Sequence, residues 1–445
     1  MDKTKLTQFR MSIYEELAVE FNQNKIRHSL LHGIDYQLNQ CGRDIDIMIL
    51  HESKNKVLEI IIKVLKNQSI KYKIIKNLWA YWIIGYKEIN NEIFDIEIDI
   101  LWSIIYWGYE LTDKNLLSYN KIKKNEFFKD DFNSFAKLFL ILFFSKNYKY
   151  LDDNRKYEIS KYCEELLNKS YSIKNFDNDL YKDIIKYGAK LDIQKLDQIR
   201  EKLKLRSFFI QNPVKYFKNV LKFLVWKIQE KIFFHKLPYF SLSGPDGVGK
   251  STYLKKIDEV LKSSIFTKVA IKHWRPNLLP NISNSLRFKL NNIKKVQITK
   301  NIQPRKNAGK FGFLRILYYS LDFFLGYYFI DIRERGALNL LIYDRHFIDM
   351  IIHPERFGIN SIYRIFLILF LYIIPLPSYM LLLVDNPLNI IHRKNELIIE
   401  EIEAQLKLMQ RLIKFKKNII LVNVKDIEKT TTKILKIIYE KTINE

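Results

Sequence analysis

Cysteine and long apolar runs are scarce in this chain, and each scarcity excludes a class of protein. Only two cysteines occur among 445 residues, Cys41 and Cys163, and their separation fits neither a disulfide framework nor a zinc site. The most apolar run, residues 365–374, ends at Pro375, short of the roughly 20 residues that a membrane-spanning helix needs. The first residues also lack the apolar core of a signal peptide. We therefore expect a cytoplasmic protein without a transmembrane segment.

Acidic side chains are also few in comparison with basic ones. The chain has 49 Asp and Glu residues and 74 Lys and Arg residues, which gives a net charge of +25. The lysines are spread along the chain, so this charge permits binding to nucleic acid or to an anionic membrane surface without specifying either. No base-reading motif occurs, and we do not expect a nucleic-acid partner, although the charge does not exclude one. A hydrophobic content of 48% is typical of a globular protein, here long enough for two or three domains.

Three regions differ in their residue patterns. Residues 1–125 contain strand-like segments with alternating acidic positions, whereas residues 126–236 have apolar residues at helical spacing. In residues 237–445, strand-like runs alternate with helical stretches, which predicts an α/β fold: a parallel sheet with helices on both faces. The segment 214–236 is basic and amphipathic. It either contacts a membrane peripherally or docks the middle region onto the carboxyl-terminal one, and we favour docking.

Glycine is rare as well, yet three of the 13 glycines fall in the stretch Gly244-Pro-Asp-Gly-Val-Gly-Lys-Ser251, which satisfies G-x-x-x-x-G-K-[ST] in full. A strand-like segment precedes it and a helical one follows. Phosphate oxygens are therefore expected to bind the first free N–H groups of that helix. Lys250 should reach the β- and γ-phosphates of ATP, and Ser251 should hold Mg²⁺. The candidate ATP-binding residues are Gly244, Gly247, Val248, Gly249, Lys250, Ser251 and Thr252.

This loop, Ser-Gly-Pro-Asp-Gly-Val-Gly-Lys-Ser-Thr, resembles that of the thymidylate kinase family, in which an acidic residue follows the first glycine by two positions. The resemblance covers residues 237–445. It implies a P-loop kinase fold and an ATP- and Mg²⁺-dependent phosphotransferase. The implied acceptor is a nucleoside monophosphate, with dTMP the first choice, and homodimers are usual in the family. It also implies that Asp246 faces the acceptor and accepts a hydrogen bond from a sugar hydroxyl.

A second motif, Asp344-Arg345, ends the short apolar run that begins at Asn339. In a parallel sheet, ligands bind beyond the carboxyl ends of the strands. The motif resembles the Asp-Arg-Tyr segment of thymidylate kinases, with His346 in place of the tyrosine. By that resemblance Arg345 binds the acceptor's phosphate with its bidentate fork, and Asp344 helps to hold Mg²⁺. The competing interpretation is a surface ion pair.

Three further arginines are candidates for binding anions. Thymidylate kinases carry a mobile lid whose arginines close over the ATP phosphates, and Arg393 resembles one of these; the alternative is a solvated cation at a helix end. Arg275 and Pro276 match part of the family's Arg-Glu-Pro turn, but no glutamate follows Arg275. Residues 270–280 and 344–358 look more like a kinase-like branch found beside bacterial surface-glycan genes. Arg275 and Arg356 are therefore candidate acceptor-binding residues, and a sugar or glycan precursor is the alternative acceptor.

Carboxylates also recur at alternate positions in the amino-terminal region. Asp44 and Asp46 share one face of a predicted strand, and Asp95, Glu97 and Asp99 share one face of another. If the strands are neighbours, the carboxylates converge, and Mg²⁺ is the ion that such hard oxygen ligands prefer. The competing interpretation is the wet face of an antiparallel sheet.

The acidic pattern resembles the nucleotidyltransferase superfamily over roughly residues 28–105. That resemblance implies that Asp44, Asp46 and Asp99 are metal ligands, but Ile34 follows Gly33 where the superfamily has a Gly-Ser pair. We therefore predict a nucleotidyltransferase-like α+β domain in residues 1–125, a helical region in 126–236 and a thymidylate kinase-like domain in 237–445. The domain at the amino end is either active or binding-only. A nucleotide-regulated, nucleic-acid-binding regulator is the remaining alternative.

Overall fold

The computed structural model describes thirteen ranges of the chain and a few single positions between 156 and 167. The ranges are 3–26, 28–35, 40–49, 54–76, 80–102, 105–106, 109–110, 178–210, 213–232, 237–280, 311–335, 338–394 and 398–444. The chain divides into two compact units, the first comprising residues 2–87 and 94–233 and the second 88–93 and 234–445. The domain boundaries predicted near residues 125 and 236 lie outside the described residues and stay predictions.

A five-stranded mixed sheet forms the first part of the chain, in the order β1-β2-β5-β4-β3. Strands β2 and β5 are parallel, whereas β1–β2 and β3–β4 are antiparallel. Isoleucines at alternate positions of β2 and β5 are buried together with apolar residues of the two helices, because alternate residues of a strand share a face. The elements are α1 (Lys3–Gln23), β1 (His28–Asp35), β2 (Gln40–Ile49), α2 (Lys54–Asn67), β3 (Lys71–Lys76), β4 (Ala80–Ile89) and β5 (Glu92–Leu101).

Two short strands and then helices follow among the described residues, and these helices lie in the region where apolar residues have helical spacing. They are β6 (Ile105–Tyr106), β7 (Tyr109–Glu110), α3 (Asn178–Ala189), α4 (Ile193–Ile210) and α5 (Pro213–Ile232). Helix α5 buries Phe223 and exposes Leu221 and Val225. Docking and membrane contact by the 214–236 segment both stay predictions. Within the described part of the chain, no helix is long and apolar enough to cross a membrane.

The second unit contains a five-stranded sheet that is parallel throughout, in the order β12-β11-β8-β10-β9, flanked by helices. The prediction of an α/β fold with a parallel sheet is therefore confirmed. The elements are β8 (Phe240–Ser243), α6 (Lys250–Leu261), β9 (Lys268–His273), α7 (Gly312–Gly326), β10 (Asn339–Asp344), α8 (Phe347–Ile352), α9 (Arg364–Phe370), β11 (Tyr379–Val384), α10 (Pro387–Arg393), α11 (Ile399–Phe415), β12 (Ile419–Asn423) and α12 (Ile427–Asn444).

Strand β8 lies at the centre of this sheet, between β10 and β11. All four of its residues are buried, and so are the four middle residues of each neighbour, because elements on both faces exclude water. The chain order reverses around β8, which is the point where open parallel sheets bind ligands beyond the carboxyl ends of their strands. The loop after β8 and the turn after β10 therefore meet at one edge.

Candidate phosphate-binding site

The loop after β8 has a backbone that only glycine adopts without strain. Gly247 and Gly249 have φ angles of +89° and +97°, in the left-handed region that residues with a Cβ rarely enter. A Cβ on Gly247 would lie 2.8 Å from the carbonyl oxygen of Ile390 and 3.1 Å from the Cβ of Lys394. Helix α6 begins directly after Gly249. The loop is thus closely packed on one side and leads into the first free N–H groups of a helix.

Lys250 is buried at the first position of α6 and donates from its Nζ to the carbonyl oxygens of Gly244 and Pro245, at 2.7 and 2.8 Å. Burial, followed by the positive charge of Arg345, lowers the pKa of Lys250 to about 7. Val248 is buried, whereas Ser251 and Thr252 are exposed on the first turn of α6.

Asp246 is held between two arginines. One of its carboxylate oxygens accepts a hydrogen bond from Nη2 of Arg345 and the other from Nη1 of Arg356, while Nζ of Lys250 lies 4.0 Å away. Burial alone raises the pKa of Asp246, but the charges of Arg345, Lys250 and Arg356 outweigh it and hold that pKa below its ordinary range. The carboxylate is therefore ionised, and it orients both guanidinium groups.

Arg345 adopts a left-handed backbone conformation directly after β10, with φ of +73°, and its N–H donates to the carbonyl of Leu242 at 3.0 Å. Its Nη1 donates to Oδ1 of Asp349 at 3.2 Å. The other oxygen of Asp349 accepts from the hydroxyl of Ser243 at 2.5 Å and from the N–H of His346 at 3.1 Å. Asp349 thus joins the ends of β8 and β10, a role that the sequence analysis missed. The only signal was its position four residues after Arg345.

Asp344 has one occupied and one unused carboxylate oxygen. Oδ2 lies 2.9 Å from Nδ1 of His273, whereas Oδ1 is buried and has no hydrogen-bond partner among the described residues. Burial raises the pKa of Asp344, but the hydrogen bond and charge of His273 and the charge of Arg345 lower it overall. An ionised, buried oxygen without a partner fits the preference of Mg²⁺ for hard oxygen ligands.

Three predicted arginines lie in different surroundings. Arg356 belongs to the one-turn segment Pro354–Phe357 and contacts Asp246, as described above. Arg393 is the last residue of α10, and its Nη2 lies 2.8 Å from Oδ2 of Asp385. Residues 395–397, where the predicted lid continues, lie outside the described residues. Contact of Arg393 with the transferred phosphoryl group stays a prediction.

Arg275 is fully buried, and its Nη1 lies 2.9 Å from Oδ2 of Asp322 on α7. The second oxygen of Asp322 accepts from the N–H of Leu279 at 2.6 Å. The guanidinium also lies against the rings of Trp274 and Tyr319. The structure therefore pairs Arg275 with a buried carboxylate of the protein. Its predicted contact with the acceptor stays a prediction.

The amino-terminal carboxylates lie side by side, because β2 and β5 are parallel neighbours in a register that pairs Asp44 with Glu97 and Asp46 with Asp99. Burial and then the charge of Asp44 raise the pKa of Glu97 to about 8, against the nearby Arg43. Burial and then Asp46 raise the pKa of Asp99 well above its ordinary value. The wet face of an antiparallel sheet is therefore the wrong interpretation for these two strands.

Asp95, predicted on the same face, is instead bonded to Arg10, whose Nη2 lies 2.5 Å from its Oδ1. One oxygen of Asp99, Oδ1, is buried without a hydrogen-bond partner among the described residues. Within those same ranges, no group of three or more His, Cys, Asp or Glu side chains is arranged to hold a metal ion. The side chains of residues 31–40, which include Gly33, lie outside the described ones. Metal binding by Asp44, Asp46 and Asp99 stays a prediction.

The fold and the site define the class of this molecule: an α/β protein with a glycine-rich, lysine-bearing loop after the central strand of a parallel sheet. No family model matches the chain, and neither does any curated protein. Among solved structures it is similar to thymidylate kinase from Ehrlichia chaffeensis, with 10% identity, over 46% of this chain and 98% of that one, at a TM-score of 0.28. A TM-score this low carries no argument about activity.

Proposed function

We propose that this protein is a Mg-ATP-dependent kinase that transfers the γ-phosphoryl group of ATP to a nucleoside monophosphate, with dTMP as the first choice. The observation that carries the proposal is the convergence of Lys250, Asp246, Arg345 and Arg356 where β8 and β10 end. Lys250 and the first turn of α6 suit one polyphosphate. The two guanidinium groups beside them suit the anion of a second substrate.

Each side chain has a distinct role in this scheme. The loop N–H groups and Lys250 bind the phosphates of ATP, while Arg345 and Arg356 bind the acceptor and Asp246 orients both of them. Ser251 and Asp344 would hold Mg²⁺, which supplies positive charge to the phosphate oxygens. Arg393 neutralises charge on the transferred group. Catalysis then comes from positioning and charge neutralisation, as phosphoryl transfer requires.

The test is ADP release from Mg-ATP by the purified full chain, with dTMP, other nucleoside monophosphates, nucleosides and common sugars as acceptors. We compare the wild type with Lys250→Met and with Lys255→Met, an exposed lysine on the same helix. We expect dTMP to stimulate turnover, Lys250→Met to reduce it about 100-fold or more, and Lys255→Met to leave it within about twofold. Equal turnover in all three proteins would refute the proposed role of the loop.

A sugar or glycan precursor is the second candidate acceptor. It is favoured by the surroundings of Arg275, the arginine that matches part of the Arg-Glu-Pro turn of nucleotide kinases. Arg275 is paired with Asp322 of the protein itself, an arrangement that does not require a nucleotide acceptor. Stimulation by sugars alone would establish this alternative. ATP turnover that no acceptor accelerates, together with nucleic-acid affinity that falls steeply with salt, would favour a nucleotide-regulated binding protein instead.

For the amino-terminal sheet we propose a divalent cation bound by Asp44, Asp46 and Asp99. The supporting observation is the buried, unpartnered oxygen of Asp99 beside a second carboxylate. A cation there would neutralise the carboxylates and supply the charge that a nucleotidyltransferase uses on its substrate phosphates. Mg²⁺ should raise the unfolding temperature of Asp344→Asn, which lacks the other proposed magnesium ligand, but not that of the double variant Asp344→Asn with Asp99→Asn. Glu59→Gln, which alters an exposed carboxylate on α2, should keep the effect when it is combined with Asp344→Asn; a shift retained by the double variant with Asp99→Asn would refute the site.

A further inference from the structure

Helix α7 is apolar on two sides. The side toward the core of its unit carries Ile316 and Phe323, which are buried. A second side carries Leu314, Leu317 and Leu321, which are 59%, 40% and 49% exposed and are separated by three and four residues. A helix that is apolar on both sides is typical of one that is covered on both sides.

A second exposed apolar stripe lies on α9 and the turn that follows it. The side chains of Ile365, Leu369 and Tyr372 are 64%, 55% and 67% exposed. The two helices touch, because the ring centroids of Phe313 and Phe366 lie 5.3 Å apart. The adjoining stripes form one surface, the α7–α9 face, which consists of the exposed apolar side chains of residues 313–324 and 362–373.

The size of this face indicates that it contacts something outside the unit. Its exposed side chains add up to on the order of 1,000 Å² of apolar surface, whereas the largest patch on a typical soluble monomer is about 300–600 Å². Helix α7 has 15 residues and α9 has 7, against the roughly 20 that a membrane-spanning helix needs. A lipid bilayer would therefore contact this face from one side only.

Positive charge flanks the face both in the sequence and in the structure. Residues 281–310, which directly precede α7, contain eight Lys and Arg residues and no Asp or Glu. After α9, Nζ of Lys416 lies 4.7 Å from the ring centroid of Tyr372, and Lys417 beside it is exposed. In the two ranges that form the face, the acidic residue is Asp322, which is buried. Apolar side chains bordered by lysines and arginines are typical of a surface that lies on anionic lipid.

We propose that the α7–α9 face binds the surface of a lipid bilayer that contains anionic lipids. The apolar side chains would lie at the boundary between headgroups and acyl chains, where the neighbouring lysines and arginines meet the negative headgroups. A second copy of the chain fits this face less well, because it would bring a second net charge of +25 to the contact. The bilayer supplies the opposite charge instead. This inference does not depend on the proposed kinase activity.

The test is co-sedimentation of the full chain with vesicles of phosphatidylcholine, either alone or with about 30% phosphatidylglycerol. We expect the wild type to bind the anionic vesicles at least about tenfold more tightly than the neutral ones, and to lose affinity as the salt concentration rises. Leu317→Glu should weaken this binding at least about tenfold, because it would place a carboxylate in the apolar layer. Ile365→Glu should act alike, and it replaces the first variant if that one does not fold.

Two matched variants introduce the same charge at exposed apolar positions outside the face. Ile427→Glu alters α12, and Leu221→Glu alters the basic helix α5. Both should bind the anionic vesicles within about twofold of the wild type, since the loss of one positive unit in +25 changes the attraction only slightly. Circular dichroism verifies that each variant is folded.

A wild type that does not bind the anionic vesicles would overturn the proposal. An equal loss in Ile427→Glu and Leu317→Glu would also overturn it, because net charge alone would then explain the binding. A loss in Leu221→Glu alone would assign the membrane contact to α5. Sedimentation velocity without vesicles is the last arm: a wild-type dimer that Leu317→Glu dissociates would assign the face to a second copy instead.

Discussion

Replacing Lys250 by methionine tests the electrostatics of the phosphate loop directly. The pKa of Lys250 is about 7 in the folded protein, against an ordinary value of 10.5, because burial and then Arg345 disfavour the ammonium group. Between these two values the unfolded chain holds a proton that the folded chain has released. Stability rises with pH wherever the unfolded state binds more protons. Lys250 should therefore make the wild type more stable as the pH increases above about 7.

The size of the effect follows from the shift. Each pH unit in this window adds about 1.4 kcal/mol, so the wild type should gain about 2–3 kcal/mol between pH 7 and pH 9. Methionine has a similar length and no proton to release, so Lys250→Met lacks this contribution. Below about pH 7 the lysine is charged in both states, and the difference between the two proteins should be constant.

Urea unfolding at pH 6, 7, 8 and 9 measures this difference, with Lys255→Met as the matched control. The free energy of unfolding of the wild type minus that of Lys250→Met should be flat up to pH 7 and then rise. Saturating Mg-ATP should flatten the rise, because phosphate oxygens keep the ammonium group charged. A difference that is constant from pH 7 to pH 9 without nucleotide would refute the reasoning about Lys250.

Four other changes test the rest of the molecule. Arg345→Gln should cost about 3 kcal/mol in urea unfolding, because it removes the guanidinium group that pairs with the buried Asp349 and with Asp246. Arg356→Gln should cost at most about 1 kcal/mol, since its side chain is 31% exposed, yet raise the KM for the acceptor at least tenfold; an unchanged KM would remove it from the site. Gly247→Ala should lower the free energy of unfolding by about 1–2 kcal/mol, because alanine disfavours the left-handed backbone, and by more because its Cβ would lie 2.8 Å from the carbonyl oxygen of Ile390. A urea midpoint equal to that of the wild type would contradict this reasoning. The pKa of Glu97 is raised to about 8, so between about pH 4.5 and pH 8 the folded state keeps a proton that the unfolded state releases. The free energy of unfolding should therefore fall as the pH rises through this range. Glu97→Gln should make that slope shallower, and the part that remains comes from the raised pKa of Asp99; an unchanged slope would contradict the assignment to Glu97.

The features that sequence predicts well here are the local ones. The positions of Gly247, Gly249 and Lys250 within eight residues specify the loop, and the rule for the edges of parallel sheets places Arg345 beside it. Neither inference needs a contact between distant parts of the chain. The parallel sheet likewise follows from strand-like and helical runs that alternate along the sequence.

The features that sequence did not predict depend on contacts between distant residues. Asp349 accepts a hydrogen bond from the hydroxyl of Ser243, which lies 106 residues earlier in the chain, and no local sequence pattern indicates that pairing. Asp95 shares the strand periodicity of Glu97, but Arg10, 85 positions away, takes it as a partner. Periodicity gives the face of a strand or helix on which a residue lies. It does not identify the residues that pack against that face.

The close approach of Gly247 to Ile390 and Lys394 has a mechanical consequence. The strand-to-helix loop rests against the end of α10, the helix that terminates in Arg393. An anion that shifts the loop by a few tenths of an ångström must also shift the end of that helix, because no space separates them. Binding of an anion in the loop and movement of Arg393 would then be a single displacement, transmitted through one glycine.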